Sequence, residues 1–393
     1  MLAVAYWAYV VNGVVNSEVG PALLGIVHTF HIDLAAAGAI FTAQFIGYLP
    51  GALGSGAAVE RWGYRRVLIC AALLTAAGTA GTALAGMWPL VIALTLVGGF
   101  GFGVTDSLCN AVVAAEAPRE GGAALNLLHT FFGVGALLGP LLIAILLTTP
   151  AGWQGVFLLT GALACSCAVL FALAPMRPPS PLAAANDAGR APVASGPAVS
   201  AGRSPWRDGR LWLLMGLLFL FVGMEQLCGG WATTYLNRSL GAHLDVAARS
   251  VSLYWAAVTV GRALASAVAL RLSNERLLGG SAVLSLAAIV ALALVGAVGP
   301  ALLALTALGL GFAPIYPTIV AIAARVYVRR FATIAGLLVA AGGLGGTIFP
   351  WVGGVVGQVW GLRATIWLGA GIATAFLALF AVLQGQHKAD EGR

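Results

Sequence analysis

Four ionisable side chains sit where the chain is otherwise apolar: Glu18, Asp106, Glu225 and Arg262. Each lies inside a run long enough to cross a bilayer, for which about 20 apolar residues suffice. A charge at that depth costs on the order of 2.5–3.5 kcal/mol on insertion scales, so each one needs a role. Desolvation opposes the charged form of a carboxylate. An acid facing a low-dielectric cavity can therefore take a proton from one side and release it to the other, which is the chemistry of a proton-coupled carrier. Asp106 and Glu18 are the candidates for it. Asn110 follows Asp106 at i,i+4, so both face one way on a helix. Glu18 is followed by Gly20-Pro21, and proline removes a backbone donor and can kink the helix. Glu225 pairs with Arg262, contacts a solute, or takes part in coupling.

Neutral polar residues recur at helical spacing beside these acids. Asn12 and Asn16 are an i,i+4 pair, Asn126 and His129 an i,i+3 pair, and Trp231 and Tyr235 an i,i+4 pair. Phe41, Gln44 and Tyr48 form one stripe at i, i+3, i+7, and Gln226 adjoins Glu225. A sugar pocket wants amides for bidentate hydrogen bonds and an aromatic plate under the ring, in a mostly apolar cavity. Asn12, Asn16, Glu18, Gln44, Asn110, Asn126, His129, Glu225, Gln226 and Trp231 supply such a set. The same residues would also serve as ordinary interhelical hydrogen bonds, worth about 0.6 kcal/mol each. His28 and His31, at the outer end of the first run, read as polar caps, and no metal site is expected.

The elements that must position these residues are membrane helices. Of 393 residues 60% are apolar and 8% charged, against about 25% charged in soluble domains. Counting apolar runs gives twelve spans, near 2–27, 34–58, 66–86, 88–115, 121–148, 153–175, 210–237, 244–270, 275–296, 299–327, 330–359 and 363–385. The first span starts at once without a basic region before it, so no cleavable signal is expected. Of 20 Lys and Arg residues, sixteen fall after even-numbered spans or in the C-terminal tail. Arg238, Arg249 and Arg363 fall on the opposite side, and Arg262 lies within a span. This bias places both termini in the cytoplasm of a bacterial inner-membrane protein. It also accounts for the net charge of +7 without nucleic acid. A Pro/Ala/Ser/Gly-rich stretch cannot fold alone and splits the chain into residues 1–175, a cytoplasmic linker 176–209, residues 210–387 and a short tail 388–393.

The two parts look alike. Gly133-x-Gly135 with Pro140 in the fifth span matches Gly343-x-Gly345 with Pro350 in the eleventh. The expected fold is an all-α membrane protein of twelve helices in two pseudo-symmetric six-helix halves, with a solute site between them near the bilayer midplane. The loop Gly56-Ala-Ala-Val-Glu60-Arg61-Trp62-Gly63-Tyr64-Arg65-Arg66 resembles the cytoplasmic G-x-x-x-D-R-x-G-R-R/K loop of the major facilitator superfamily, with Glu60 in place of the usual Asp. The resemblance makes Gly56, Glu60, Arg61, Gly63, Arg65 and Arg66 a cytoplasmic gate that latches helix ends across the halves.

Further motifs resemble the L-fucose permease-like group of sugar symporters, over essentially the whole chain. They are Asn16-Ser17-Glu18-Val19-Gly20-Pro21, Asp106-Ser-Leu-Cys-Asn110, Leu125-Asn126-Leu127-Leu128-His129-Thr130-Phe131-Phe132-Gly133, Gly223 to Trp231, and Ile315-Tyr316-Pro317-Thr318-Ile319. The resemblance implies that Glu18 contacts the sugar, that Asp106 carries the proton, and that Tyr316 joins the site. Both acids are swapped relative to that group, and His129 stands where the fucose permease has Gln. The implied function is proton-coupled uptake of a hexose-type sugar by a monomer using alternating access, with no cofactor. Sodium is the alternative ion and efflux of drugs or metabolites the alternative direction. No catalytic arrangement of residues points to an enzyme.

Overall fold

A computed structural model describes residues 1–116, 121–175, 208–268, 271–327 and 331–391. The helices are α1 (Leu2–Phe30), α2 (Leu34–Trp62), α3 (Tyr64–Leu84), α4 (Trp88–Glu116), α5 (Gly121–Leu146), α6 (Gly152–Leu173), α7 (Gly209–Leu240), α8 (Leu244–Val268), α9 (Asn274–Leu294), α10 (Val298–Phe312), α11 (Ile315–Val326), α12 (Phe331–Trp360) and α13 (Leu362–Glu391). They make 12 membrane spans, because α10 and α11 together cross once. The tenth span, expected as one continuous helix, is broken at Ala313-Pro314, where proline withholds its backbone N–H. Of the linker expected at 176–209, residues 176–207 lie outside the described residues, as do Arg119, Arg329 and Arg330.

Short loops end in local devices that satisfy free backbone groups. Asp33 Oδ1 accepts from the Ala36 amide at 2.7 Å to start α2. Asp208 Oδ1 accepts from the Arg210 amide at 2.9 Å to start α7. Gly63, between α2 and α3, has φ 78°, which glycine adopts at no steric cost. Large apolar side chains such as Leu84, Leu173, Leu294 and Leu303 point outward, the surface a hydrocarbon solvent wants.

The packing repeats between halves. In the first, α1 packs on α5, α2 on α4, and α3 on α6; in the second, α7 packs on α12, α8 on α10, and α9 on α13. The paired glycines explain the first of these contacts. A methyl at Gly135 would strike the Val10 carbonyl of α1, and one at Gly345 would strike the equivalent Phe219 carbonyl of α7. Their partners Gly133 and Gly343 instead face the other half, at Thr259 and Leu49. One glycine of each pair thus closes a half and the other meets its neighbour.

The halves join through α2 with α12, α5 with α8, and α1 with α7. Contacts concentrate at one end. The Leu34 amide donates to Gln358 Oε1 at 3.1 Å, and Thr42 Oγ1 donates to the Thr347 carbonyl at 2.7 Å. Phe41 packs on Trp231 with ring centroids 6.2 Å apart, and Gly20 meets Gly230. Beyond Leu49 and Gly343 the pairing lapses: Gly54, Gly56 and Gly336 have no neighbour where a side chain would begin. The Met1 amine lies 3.7 Å from a Glu116 carboxylate oxygen, so the N terminus and the end of α4 share this second face. The molecule is closed at the Leu34–Gln358 end and parted at the N-terminal face.

Candidate solute cavity

Asp106 lies on α4 about 15 Å from the helix end at Glu116, taking 1.5 Å of rise per residue. Its side chain is half-buried. The Tyr48 hydroxyl of α2 donates to Asp106 Oδ2 at 2.9 Å. The Tyr9 hydroxyl of α1 donates to the Asp106 backbone carbonyl at 3.1 Å. Asn110 Nδ2 donates to that same carbonyl at 3.0 Å and to the Tyr9 oxygen. The carboxylate itself takes only the Tyr48 bond, whereas Tyr9 and Asn110 bind the backbone of Asp106, so Asn110, which faces the same way, steadies this turn of α4 and not the carboxylate. Neither tyrosine was among the expected site residues, although Tyr48 shares the stripe with Gln44. Tyr9 precedes Asn12 and Asn16 by i−3 and i−7, so the two asparagines already marked its helix face.

Around Asp106 the wall is aromatic. Tyr9 meets His129 edge-on at 5.6 Å and Phe132 at 6.3 Å. Phe132 in turn meets Trp255 of α8 at 6.1 Å, which carries the wall into the second half. His129 and Asn126 are exposed although they lie on a helix packed between α1 and α8, so they face the parted end. Tyr316 stands just after the break in the tenth span. It lies within electrostatic reach of Asp106, Glu225 and Arg262 together. Arg262 also acts on His129, Glu225 and Tyr254. Asp106, His129, Glu225, Arg262 and Tyr316 thus share one electrostatic environment spanning both halves.

Other expected residues lie elsewhere. Glu18 is nine residues beyond Tyr9, which is two and a half turns and the opposite helix face at about 3.6 residues per turn. It is 1% exposed, its hydrogen-bonding neighbour is Thr160 of α6, and its Oε2 has no partner. The structure therefore turns Glu18 into the first half, away from the Asp106 cluster. Trp231 is fully buried, donating through Nε1 to the Pro350 carbonyl at 2.9 Å and packing on Phe41. It seals the closed end and offers no free face as a plate. Its companion Tyr235 donates to the Leu292 carbonyl at 2.9 Å. Gln44 is buried and donates to the Val15 carbonyl at 3.4 Å. Asn12 is buried with Nδ2 unpartnered, whereas Asn16, Glu225 and Gln226 are half-buried. In the gate loop Glu60, Arg61, Gly63, Arg65 and Arg66 are exposed. Arg65 donates to the Ala174 carbonyl at 2.7 Å, and Arg61 stacks over Trp62. These contacts stay within the first half, as expected at a face where the halves are apart.

Comparison with known proteins gives this geometry a setting. The chain is 30% identical over 138 residues to the 3-(3-hydroxy-phenyl)propionate transporter of Escherichia coli. It is 28% identical over 147 residues to the sodium-dependent glucose transporter 1 of Rattus norvegicus. The aligned part spans 34% and 30% of those two relatives, respectively. Among solved structures, the inward-open xylose transporter XylE from E. coli superposes with a TM-score of 0.79 at 16% identity, covering 96% of this chain and 95% of that one. The transporter FucP in an outward conformation gives 0.63 at 18% identity, covering 97% and 98%. The Major Facilitator Superfamily profile matches residues 5–307. With that match over most of the sequence and the two packed six-helix halves, the chain is a multi-pass membrane transporter and belongs to the Major Facilitator Superfamily.

Proposed function

We propose that this transporter imports a small ring-bearing, hydroxylated solute of the monosaccharide class together with a proton, with Asp106 as the proton carrier. The observation that carries the reading is the Tyr48–Asp106 hydrogen bond in a cavity open at one face. It joins the carboxylate of the first half to a helix that takes part in the contact between halves. Protonation of Asp106 removes the charge that Tyr48 and the cavity stabilise, so binding of the proton bears on the helix that must move. Asn126, His129, Asn110 and Gln226 supply polar contacts for hydroxyl groups, and Phe132, Trp255 and Tyr316 supply ring faces. Glu18 has no part in this site.

The gate residues Glu60, Arg61, Arg65 and Arg66 latch the N-terminal face in the alternate state. The excess of Lys and Arg on that face makes it cytoplasmic, and the protein is placed in a bacterial inner membrane as a monomer. The experiment is uptake into proteoliposomes under an imposed proton gradient. The reading expects accumulation that a protonophore abolishes. Accumulation driven by a sodium gradient instead, or expulsion of the solute, refutes it.

A further inference from the structure

Arg262 has no role in the proton reading, yet it is a guanidinium inside a membrane span. On α8 it follows Trp255 and Thr259 at i+7 and i+3, so the three share one face. The first two meet α5: Trp255 packs on Phe132, and Thr259 Oγ1 lies 2.6 Å from where a Gly133 side chain would begin. The two helices run in opposite directions, so Arg262 stands one to two turns nearer the parted end, opposite His129 and Asn126. Its charge acts on His129, Glu225, Tyr254 and Tyr316.

Among the described residues Arg262 makes no ion pair. The hydrogen bond at this residue is Ser266 Oγ donating to its backbone carbonyl at 2.9 Å, which leaves the guanidinium unengaged. Glu225 is near enough to offset the charge but does not close on it. The fork of five N–H donors suits a planar anion, and the half-buried side chain has no ion-pair partner among the described residues. The Tyr254 hydroxyl, buried in the same electrostatic group, also lacks a partner.

We propose that the solute carries one carboxylate, which Arg262 binds through its guanidinium, and that the transported class is a hydroxylated ring acid. This deepens the proton reading and rests on it for the direction of transport. It also supplies a physical reason for coupling. An anionic solute and ionised Asp106 repel in one low-dielectric cavity, whereas protonated Asp106 does not repel it. Each ligand therefore raises the affinity for the other, by the same factor. A neutral sugar makes no such demand on the proton.

The test is equilibrium binding to the purified full-length protein, followed by tryptophan fluorescence with no gradient imposed. The probes are D-glucuronate against D-glucose, and 3-(3-hydroxyphenyl)propionate against 3-hydroxybenzyl alcohol. These arms separate sugar acids from aromatic acids. The proposal expects the acid of one pair to bind about tenfold or more tighter than its neutral partner. Arg262→Gln removes that difference, and Arg262→Lys, which keeps the charge without the fork, retains part of it. Equal binding within both pairs, no binding by either acid, or a preference that survives Arg262→Gln overturns it. Because no proton gradient enters the measurement, the result stands apart from whether Asp106 carries the proton.

Discussion

A methyl group at Gly20 should prop the closed face open. An alanine Cβ there would sit 2.9 Å from the Gly230 carbonyl oxygen and 3.2 Å from both the Gly229 oxygen and Gly230 Cα. Ordinary contact begins near 3.4 Å, so α1 and α7 must part by roughly half an ångström. All three neighbours are backbone, so no side chain can swing aside. Overpacking of this kind costs about 1–3 kcal/mol. The contact joins the two halves at the end that opens in the alternate state, so the penalty falls on the present state alone. The equilibrium between states then moves by about 5- to 150-fold. The assay is labelling by a membrane-impermeant maleimide in a cysteine-free background. With a probe at Asn126→Cys, exposed at the parted face, Gly20→Ala should slow labelling about threefold or more where the two states are comparably populated. A probe at Gln358→Cys, in the closed end, should react faster from the opposite face. Unchanged rates at both sites would show that α1 and α7 do not form a state-dependent seal.

Two further substitutions separate the residues of the cavity from those outside it. Tyr48→Phe keeps the ring packing on Phe45 and Phe102 but removes the donor to Asp106. A hydrogen bond to a charged group contributes roughly 1.5–3 kcal/mol, so proton-driven accumulation should fall at least about tenfold while the melting temperature moves little; unaltered accumulation argues against the bond. Glu18→Gln keeps shape and the Thr160 neighbour, and accumulation should stay within about twofold of the parent, since the side chain faces α6. A loss as deep as that expected for Asp106 substitutions would return Glu18 to the mechanism.

Much of the architecture was legible because lipid imposes it. A backbone in hydrocarbon must satisfy its own hydrogen bonds, so apolar runs became helices at nearly the expected places, and the duplicated glycine pairs fell at equivalent contacts. The break at Ala313-Pro314 was harder, since proline is tolerated inside α1, α2, α5 and α12. The site was partly legible. Asp106, Asn110, His129 and Glu225 carry chemistry in their side chains and stood out against an apolar background. Tyr9 and Tyr48 did not, because an aromatic in a membrane span more often packs than donates. Glu18 and Trp231 were assigned to the cavity on side-chain chemistry as well as motif resemblance; helix phase turns Glu18 toward α6, and packing on Phe41 and Pro350 buries Trp231. Counting turns from Asn12 and Asn16 would have set Glu18 on another face, but whether that face meets a cavity or α6 depends on how the bundle closes.

The account rests on one proton at one carboxylate. Gradient-driven accumulation and solute exchange at equal concentrations, measured on Asp106→Asn in proteoliposomes, test it most directly. The account predicts that exchange continues while accumulation is lost. An Asp106→Asn protein that still concentrates its solute against a gradient would contradict it.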